Sequence, residues 1–335
     1  RDMAWAEEQG DTELLRDLQK DYDYDGVQTC AVDGMCGVAC PVDINTGDLV
    51  RRLRAEQSNA IEGAVWGVAA KHWGTVTRAG GVALTVADAL PAPLVRGVTQ
   101  LGRAVLGTDT VPLYDGGLPH GGSKPPRPES PTDAQAVFFG ACIGTMFGAE
   151  GEGEGSRDAL RALLDRAGIP VVIPEENGGL CCGTPWKSKG HLDGYARMSD
   201  RVLELLWVAS RHGELPVVCD AASCTEGLDV MLAQSVAKNP RYAGLRIEDA
   251  TTFVAREVLP KLTVTAKLPT IAVHPTCSTT ALGATGALTA IAGAVADDVF
   301  VPEGWGCCAF AGDRGMLHPE LTASATAQES AEIAE

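Results

Sequence analysis

The feature that most constrains this chain is a pair of adjacent cysteines that occurs twice. The first pair lies in the sequence GLCCGTP at residues 179–185, and the second lies in GCCAFAG at residues 306–312. Neighbouring side chains in a strand or helix point in different directions, so two thiolates converge on one centre only where the backbone turns sharply. The flanking glycines permit that turn. We therefore predict a metal or iron–sulfur site at each pair, in preference to two chance pairs of buried or disulfide-bonded cysteines.

Other cysteines lie at wide intervals from the first pair. Cys142 precedes Cys181 by 39 residues, whereas Cys219 and Cys224 follow Cys182 by 37 and 42 residues. Each of them follows a predicted strand, and the carboxyl ends of parallel strands meet at one edge of a sheet. We expect Cys142, both members of the pair and at least one of the two later cysteines to converge in space as metal ligands.

The second pair has fewer partners in the sequence. Cys277 precedes Cys307 by 30 residues, and we expect Cys277, Cys307 and Cys308 to form the second site. His274 is either a further ligand or a residue that caps a strand exit. Three thiolates leave a four-iron cluster one ligand short. By analogy with the first pair, we expect the natural polypeptide to continue beyond Glu335 by about 30–60 residues.

Three cysteines near the N-terminus form a third motif. Cys30, Cys36 and Cys40 fit the bacterial ferredoxin pattern C-x2-C-x2-C-x3-C-P, except that Asp33 stands at the second position. Asp33 either ligates iron as a harder and more labile ligand, leaves a three-iron cluster, or is an ordinary turn residue. The spacing is not that of a zinc finger. We predict a ferredoxin-like iron–sulfur segment over residues 1–57.

The first part of the chain otherwise reads as helices. Residues 1–29 predict one polar helix that runs into an acidic turn, and residues 47–57 predict a basic helix. Residues 58–115 predict a helical connector that packs within the protein, with a quinone or membrane contact as the alternative. The Pro- and Gly-rich stretch 116–133 predicts an extended linker and a domain boundary. The predicted apolar stripe of the connector comprises Val65, Trp66, Ala69, Ala70 and Trp73.

From residue 134 onwards short apolar strands alternate with amphipathic helices. This alternation is typical of parallel sheets with right-handed crossovers. The plan repeats after about 130 residues, which predicts two paired-cysteine units at residues 134–247 and 248–335, the second of them incomplete. The predicted fold class is therefore α/β, with a ferredoxin-like helical segment followed by two pseudo-repeated units. The predicted strands are 136–139, 171–173, 216–218, 271–273 and 299–301, and the main predicted helix of the second unit is 279–296.

Charge and cysteine content limit the classes of partner. The chain has 27 basic and 44 acidic residues, a net charge of −17, so nucleic acid is excluded as a partner. Eleven cysteines in a chain of 335 residues are not the pattern of a small disulfide-stapled secreted domain. We expect a cytoplasmic protein with at most peripheral contact with the inner face of the cell membrane.

Charged residues follow both cysteine pairs. Lys187 and Lys189 follow the first pair, and Asp313 and Arg314 follow the second. Each set either forms structural ion pairs or offers positive charge to a reduced cluster or an anionic partner. We favour the structural role for both sets.

Together, these motifs resemble the C-terminal iron–sulfur half of bacterial FAD-linked D-lactate dehydrogenases. The paired-cysteine units are also similar to the cysteine-rich domains of glycolate oxidase iron–sulfur subunits. The resemblance covers residues 20–57 and 134–322 and is most specific at the cysteine motifs. It implies a module that passes electrons from FAD, on an upstream domain or a partner subunit, through 4Fe-4S clusters to a quinone or cytochrome. Oxidation of the 2-hydroxy acid would then occur outside this chain.

A second resemblance implies a different chemistry. The paired-cysteine units look like those of heterodisulfide reductase, where non-cubane clusters act directly on a disulfide. Carried over, this resemblance assigns Cys142, Cys181, Cys182, Cys219 and Cys224 to one such cluster. In this chain four residues separate the last two cysteines, whereas that family usually has two. The cluster type therefore remains open between 4Fe-4S, 3Fe-4S and non-cubane forms, and thiol–disulfide catalysis is the alternative function.

Overall fold

The structure is a computed structural model that describes residues 2–149, 151 and 153–335. It is mixed α/β, with mostly helices and short parallel strands. The chain before the first sheet is helical. Its helices are α1 (Asp2–Gln9), α2 (Thr12–Tyr22), α3 (Met35–Ala39), α4 (Thr46–Gln57), α5 (Ala60–Lys71), α6 (Trp73–Asp88) and α7 (Ala92–Leu106), and a π-helical turn at Asp23–Gln28 follows α2.

The first predicted helix is broken, so that prediction is wrong in its continuity. Gly10 adopts φ +72°, a left-handed conformation that ends α1. Asp11 then caps α2 by accepting a hydrogen bond from the Leu14 amide at 3.0 Å. Arg1, the first residue of the predicted helix, lies outside the described residues. The predicted helix 47–57 is confirmed as α4, which begins one residue earlier.

The connector helices pack on the rest of the protein through one face only. Trp66 and Trp73 contact the buried Trp186, with ring centroids 6.1 and 4.6 Å apart. Val65, which belongs to the predicted apolar stripe, is 61% exposed, so the stripe is narrower than predicted. Several other apolar side chains of α5–α7 also face solvent, namely Ile61, Val68, Val82, Val86, Leu94, Val98, Leu101 and Val105. Among the described residues, no helix is both long and apolar enough to cross a membrane.

The segment 116–133 contains no helix, but it is docked along the first unit. Glu129 forms an antiparallel bridge with Ile173, through hydrogen bonds of 3.0 and 2.8 Å. Arg157 donates a hydrogen bond of 2.8 Å to the carbonyl of Ser123. At Gly122 an added Cβ would lie 2.3 Å from the carbonyl oxygen of Gly144, so only glycine permits this close approach.

The first unit contains a four-stranded parallel sheet in the order β2-β1-β3-β4. The first three strands confirm the prediction within one residue at each end, whereas β4 was not predicted. The strands are β1 (Ala136–Phe139), β2 (Val171–Val172), β3 (Val217–Cys219) and β4 (Ile247–Asp249). The helices are α8 (Ile143–Met146), α9 (Gly155–Arg166), α10 (Thr184–Lys189), α11 (Leu192–Ala209), α12 (Ala222–Val236) and α13 (Ala250–Phe253). Single 3-10 or π-helical turns occupy Asn177–Gly179, Pro240–Gly244, Val254–Val258 and Leu259–Lys261.

The second unit has a separate sheet of two parallel strands. The predicted helix 279–296 is wrong in its continuity, because Gly283 adopts φ +67° and divides it in two. The strands are β5 (Leu268–Ala272) and β6 (Ala296–Phe300). The helices are α14 (Cys277–Ala281), α15 (Thr285–Val295), α16 (Arg314–Leu317), α17 (Pro319–Ala325) and α18 (Ala327–Ala334).

The hydrophobic core lies on both faces of the first sheet. One face buries Phe139 and Val217 against α11, and the other buries Phe138 and Val218 against α9. This two-sided burial explains why the strands read as unbroken apolar runs in the sequence. In contrast, most residues of β5 and β6 are exposed.

Candidate iron–sulfur and metal centres

Five cysteines converge at the carboxyl edge of the first sheet. Cys142 lies three residues after β1, Cys219 ends β3, and Cys224 lies in the first turn of α12. The sulfurs of Cys142 and Cys181 are 3.7 Å apart. Electrostatic coupling continues this series of neighbours from Cys181 to Cys182, Cys224 and Cys219. Among the described residues, no three of these five sulfurs lie within 4.8 Å of one another. We call the five side chains the first cysteine group.

The sharp turn predicted at the first pair is present. Gly183 adopts φ +83° immediately after Cys182, and α10 begins at the next residue. An added Cβ at Gly183 would lie 2.7 Å from the ring of Tyr195. Because neither the backbone conformation nor the space accommodates a side chain, this position requires glycine.

The chemistry of the first cysteine group favours a metal. The thiols of Cys181 and Cys224 donate hydrogen bonds to Cys182 and hold the pKa of Cys182 well below its usual range. Burial raises the pKa of Cys219. Apart from Cys142, which is half-buried, the group is shielded from solvent. Soft sulfur donors that lie near one another in a buried setting suit iron, and a bound cation offsets the cost of burying several thiolates.

Asp220 is a positioning residue that the sequence motifs did not indicate. Its carboxylate accepts a hydrogen bond of 2.6 Å from the amide of Ala141, so it ties the exit of β3 to the exit of β1 beside Cys142 and Cys219. Burial raises the pKa of Asp220 to about 6. In the sequence, only its position directly after Cys219 at the end of a predicted strand could have indicated this role.

Basic side chains lie near the first cysteine group. Burial lowers the pKa of Arg51, and it lowers the pKa of Lys187 to about 8. Burial, followed by the charge of Cys182, raises the pKa of Tyr195 to about 12. Arg51 interacts electrostatically with both Cys30 and Tyr195. Arg51 also pairs with Asp48, and Glu226 lies near both basic groups, so the positive charge in this region is partly balanced.

Arg54 attaches the N-terminal segment to the first unit. Its guanidinium donates hydrogen bonds to the carbonyls of Val27 (3.1 and 2.5 Å), Cys30 (2.8 Å) and Ser188 (2.8 Å). Ser188 belongs to α10, which directly follows the first pair. Burial lowers the pKa of Arg54 to about 10. The sequence shows only a basic helix and does not distinguish Arg54 from its neighbours.

The cysteines of the ferredoxin-like motif lie around α3. Cys30 is half-buried after the π-helical turn, Cys36 is exposed on α3, and Cys40 follows the end of α3. The hydroxyl of Thr46 donates a 3.2 Å hydrogen bond to the sulfur of Cys36 and lowers its pKa. Among the described residues, these three cysteines do not form a set of donor atoms within 4.8 Å of one another.

Asp33 instead lies beside the second pair. The described residues contain one set of three donors within 4.8 Å of one another, formed by Asp33, Cys277 and Cys307. The hydrogen bond between the two cysteines raises the pKa of Cys277 and lowers that of Cys307. Cys308 is not a member of this set. His274 directs Nδ1 to the buried carboxylate of Glu329 at 2.6 Å.

Lys189, Asp313 and Arg314 form ion pairs, in agreement with the structural role that we favoured. Lys187 forms no ion pair with the described residues. Lys189 pairs with Asp313 at 2.7 Å and so joins the first unit to the second. Arg314 pairs with Asp109 and donates a 2.6 Å hydrogen bond to the carbonyl of Gln28. The segments after both pairs and the start of the ferredoxin-like motif therefore contact one another.

Comparison with known proteins supports the assignment of the first unit as a cysteine-rich domain. No curated protein and no solved structure gave a significant match to the chain. One family model matches, that of the cysteine-rich domain named CCG, over residues 136–229. The matched range contains every member of the first cysteine group. Residues 136–229 thus match a cysteine-rich domain, and the proximity of their sulfurs indicates an iron–sulfur or redox module.

Proposed function

We propose that this chain is the iron–sulfur electron-transfer module of a flavin-dependent 2-hydroxy-acid dehydrogenase of the D-lactate type. It would accept electrons from FAD on an upstream domain or partner subunit and pass them to a quinone or cytochrome. One observation carries the proposal. Five cysteines lie at or near the carboxyl edge of a parallel sheet, two of them with sulfurs 3.7 Å apart, within the range that matches the cysteine-rich domain.

The residues of the first cysteine group would hold one cluster. Cys181 and Cys182 come from the turn, Cys142 from the exit of β1, and Cys219 and Cys224 from the exit of β3 and the start of α12. An iron–sulfur cluster supplies a one-electron carrier when it is bound there. The surrounding core excludes water from four of these sulfurs, and Gly183 lets the backbone turn tightly around the pair.

The N-terminal motif would hold a second cluster through Cys30, Cys36 and Cys40. Arg51 lies near Cys30 of this motif and near Tyr195, which in turn lies near Cys182 of the first cysteine group. Positive charge in a partly buried region stabilises an added electron and raises a reduction potential. This arrangement suits transfer of electrons from one group of cysteines to the other.

The partners follow from the same proposal. A flavin domain or subunit would dock near residues 1–57, because the ferredoxin-like motif lies there. The exposed apolar side chains of α7 provide a surface for a peripheral contact with the membrane, where a quinone would be reached. We accordingly place the protein in the cytoplasm, at the inner face of the cell membrane.

The test uses anaerobically purified protein with chemically reduced FAD as donor and a water-soluble quinone as acceptor. We expect reduced FAD to bleach the visible iron–sulfur absorption of the wild type, and the quinone to restore it. Cys182→Ser should lose part of this reversible change. Met231→Leu, a volume-conserving change near the same turn, should respond like the wild type. Iron–sulfur absorption that reduced FAD does not bleach would contradict the electron-transfer role.

The alternative function, thiol–disulfide catalysis, has one observation in its favour. Cys142 is the half-buried member of the first cysteine group, and the residues that follow it, Ile143 and Gly144, line an open cleft of about 510 Å³. A disulfide substrate would reach the group from this side. Reduction of a small mixed disulfide by the reduced protein, lost in Cys142→Ser, would support this alternative; no turnover by the wild type would exclude it.

A further inference from the structure

A mixed set of donor atoms lies between the N-terminal segment and the second unit. Asp33, Cys277 and Cys307 come from three distant parts of the chain, yet their donor atoms lie within 4.8 Å of one another. Asp33 Oδ2 is 2.7 Å from the sulfur of Cys307 and 3.4 Å from that of Cys277. We propose that these three side chains bind a single divalent metal ion of borderline softness, Zn²⁺ or Fe²⁺.

The donor chemistry and spacing fit such an ion. Two thiolates and one carboxylate are ligands that Zn²⁺ and Fe²⁺ accept. With metal–sulfur bonds of about 2.3 Å and metal–oxygen bonds of about 2.1 Å, tetrahedral donors lie roughly 3.5–3.8 Å apart. The two oxygen–sulfur distances are below this value, and the two sulfurs lie within 4.8 Å of each other, so changes in side-chain rotation would bring all three donors to one ion. Three protein ligands leave the fourth position open to water or a substrate.

Charge also favours a cation at this place. A carboxylate faces two cysteine sulfurs in a half-buried setting. A divalent ion at this place would be held by three groups that bind metals as anions. The half-buried position also leaves a path for the ion to enter from solvent.

The surrounding backbone positions the donors. The other carboxylate oxygen of Asp33 accepts a 3.3 Å hydrogen bond from the amide of Met35, which fixes the orientation of the side chain. Val32, directly before it, adopts φ +57°, a rare conformation for a β-branched residue. Arg314 secures the same segment through the carbonyl of Gln28. Local strain that tertiary contacts maintain is typical of functional sites.

This site would hold a single metal ion, whereas the first cysteine group would hold a cluster. It also combines sulfur donors with a carboxylate oxygen. It goes beyond the proposed electron-transfer function, because it needs neither FAD nor a cluster. It also gives Asp33 a role outside the ferredoxin-like motif, as the residue that supplies the second unit with a non-sulfur ligand. The metal would connect residues 33, 277 and 307 and so join the N-terminal segment to the second unit.

The experiment titrates the reduced protein with Co²⁺ under anaerobic conditions, because tetrahedral cobalt–thiolate sites absorb visible light. The variants are Asp33→Asn, Asp33→Cys, Cys307→Ser and Cys182→Ser. The matched control is Asp43→Asn, an exposed carboxylate of the same segment. Iron and acid-labile sulfide contents are measured in parallel, and these report on the proposed clusters separately.

We expect one class of Co²⁺ site to disappear in Cys307→Ser and to weaken by roughly 10–100-fold in Asp33→Asn. Asp33→Cys should retain the site with stronger thiolate absorption, because a third sulfur replaces the oxygen. Asp43→Asn and Cys182→Ser should retain it unchanged. Equal affinity in Asp33→Asn and the wild type would overturn the role of the carboxylate. The same number of Co²⁺ sites in Cys307→Ser as in the wild type would overturn the site itself.

Discussion

The two paired-cysteine units share one order of elements but form different sites. Each has a strand, a cysteine, a helix, a second parallel strand and then the pair. In the first unit the sheet has four strands, is buried on both faces, and gathers five sulfurs. In the second unit the sheet has two exposed strands, and two of its sulfurs meet a carboxylate from the N-terminal segment.

This difference shows that the segments packed against a cysteine pair determine which metal-binding atoms lie beside it. The two additional strands of the first sheet deliver Cys219 and form the core that covers the group. The described residues of the second unit have no equivalent strands, so its pair lies half-exposed, and Cys307 of the pair meets Asp33 instead. A repeated sequence motif therefore predicts a repeated backbone, whereas the chemistry depends on what packs against it.

The largest expected effect on the free energy of unfolding comes from the burial of the aromatic side chains at the strand ends. Phe139 ends β1 and is fully buried, whereas Phe300 ends β6 and is 37% exposed. We expect Phe139→Ala to lower the free energy of unfolding by about 3–5 kcal/mol and Phe300→Ala to lower it by about 1 kcal/mol or less. Urea denaturation followed by circular dichroism measures both. Equal losses would show that the second sheet is as well covered as the first.

The next effect concerns the attachment of the N-terminal segment to the first unit. Arg54→Met leaves the carbonyls of Val27, Cys30 and Ser188 without their charged donor, so we expect a loss of roughly 3 kcal/mol in the free energy of unfolding. The control is Arg52→Met, an exposed position on the same helix. Limited proteolysis should cleave the N-terminal segment faster in Arg54→Met only. The same cleavage rate in both variants would rule out this attachment.

A smaller effect compares the residue after each pair. Gly183 and Ala309 occupy equivalent positions, with φ +83° and +54°. Gly183→Ala should cost about 2 kcal/mol or more, because it adds left-handed strain and a contact with the ring of Tyr195. Ala309→Gly should instead stabilise the protein by about 0.5 kcal/mol, because it removes strain. Thermal unfolding of both variants measures whether each substitution lowers or raises the stability. A loss of stability in Ala309→Gly would mean that its methyl group packs in the second unit.

The smallest effect concerns the ion pair between the units. Lys189 and Asp313 are both partly exposed, so the pair should contribute less than about 1 kcal/mol and weaken with added salt. A double-mutant cycle with Lys189→Met and Asp313→Asn measures the coupling. Coupling well above this value would indicate that the two units unfold as one through this contact.

The sequence was most informative where structure is local. Apolar runs predicted β1–β3, because strands buried on both faces contain no polar alternation. β4, with the sequence Ile-Glu-Asp, carries no such run and was missed. The breaks at Gly10 and Gly283 were missed because a glycine within a periodic stretch is compatible with a continuous helix. The shared edge of the parallel strands was sufficient to predict that the residues of the first cysteine group lie near one another.

Contacts between distant segments could not be predicted in the same way. Asp33 fits a ferredoxin motif by spacing, and nothing in that spacing indicates that its carboxylate faces Cys307, 274 residues later. Arg54 likewise resembles its basic neighbours until the packing of α4 on α10 is known. Such contacts depend on the docking of whole segments, which the residue pattern within one segment does not encode.

The most direct test of the account is the iron and acid-labile sulfide content of anaerobically purified protein, combined with paramagnetic resonance during stepwise reduction. The account predicts sulfide-containing iron and at least one reducible centre in the wild type, and loss of a centre in Cys182→Ser. It also predicts that Met231→Leu keeps every centre. Protein that contains no acid-labile sulfide, or a spectrum unchanged by Cys182→Ser, would contradict the claim that the first cysteine group binds an iron–sulfur cluster.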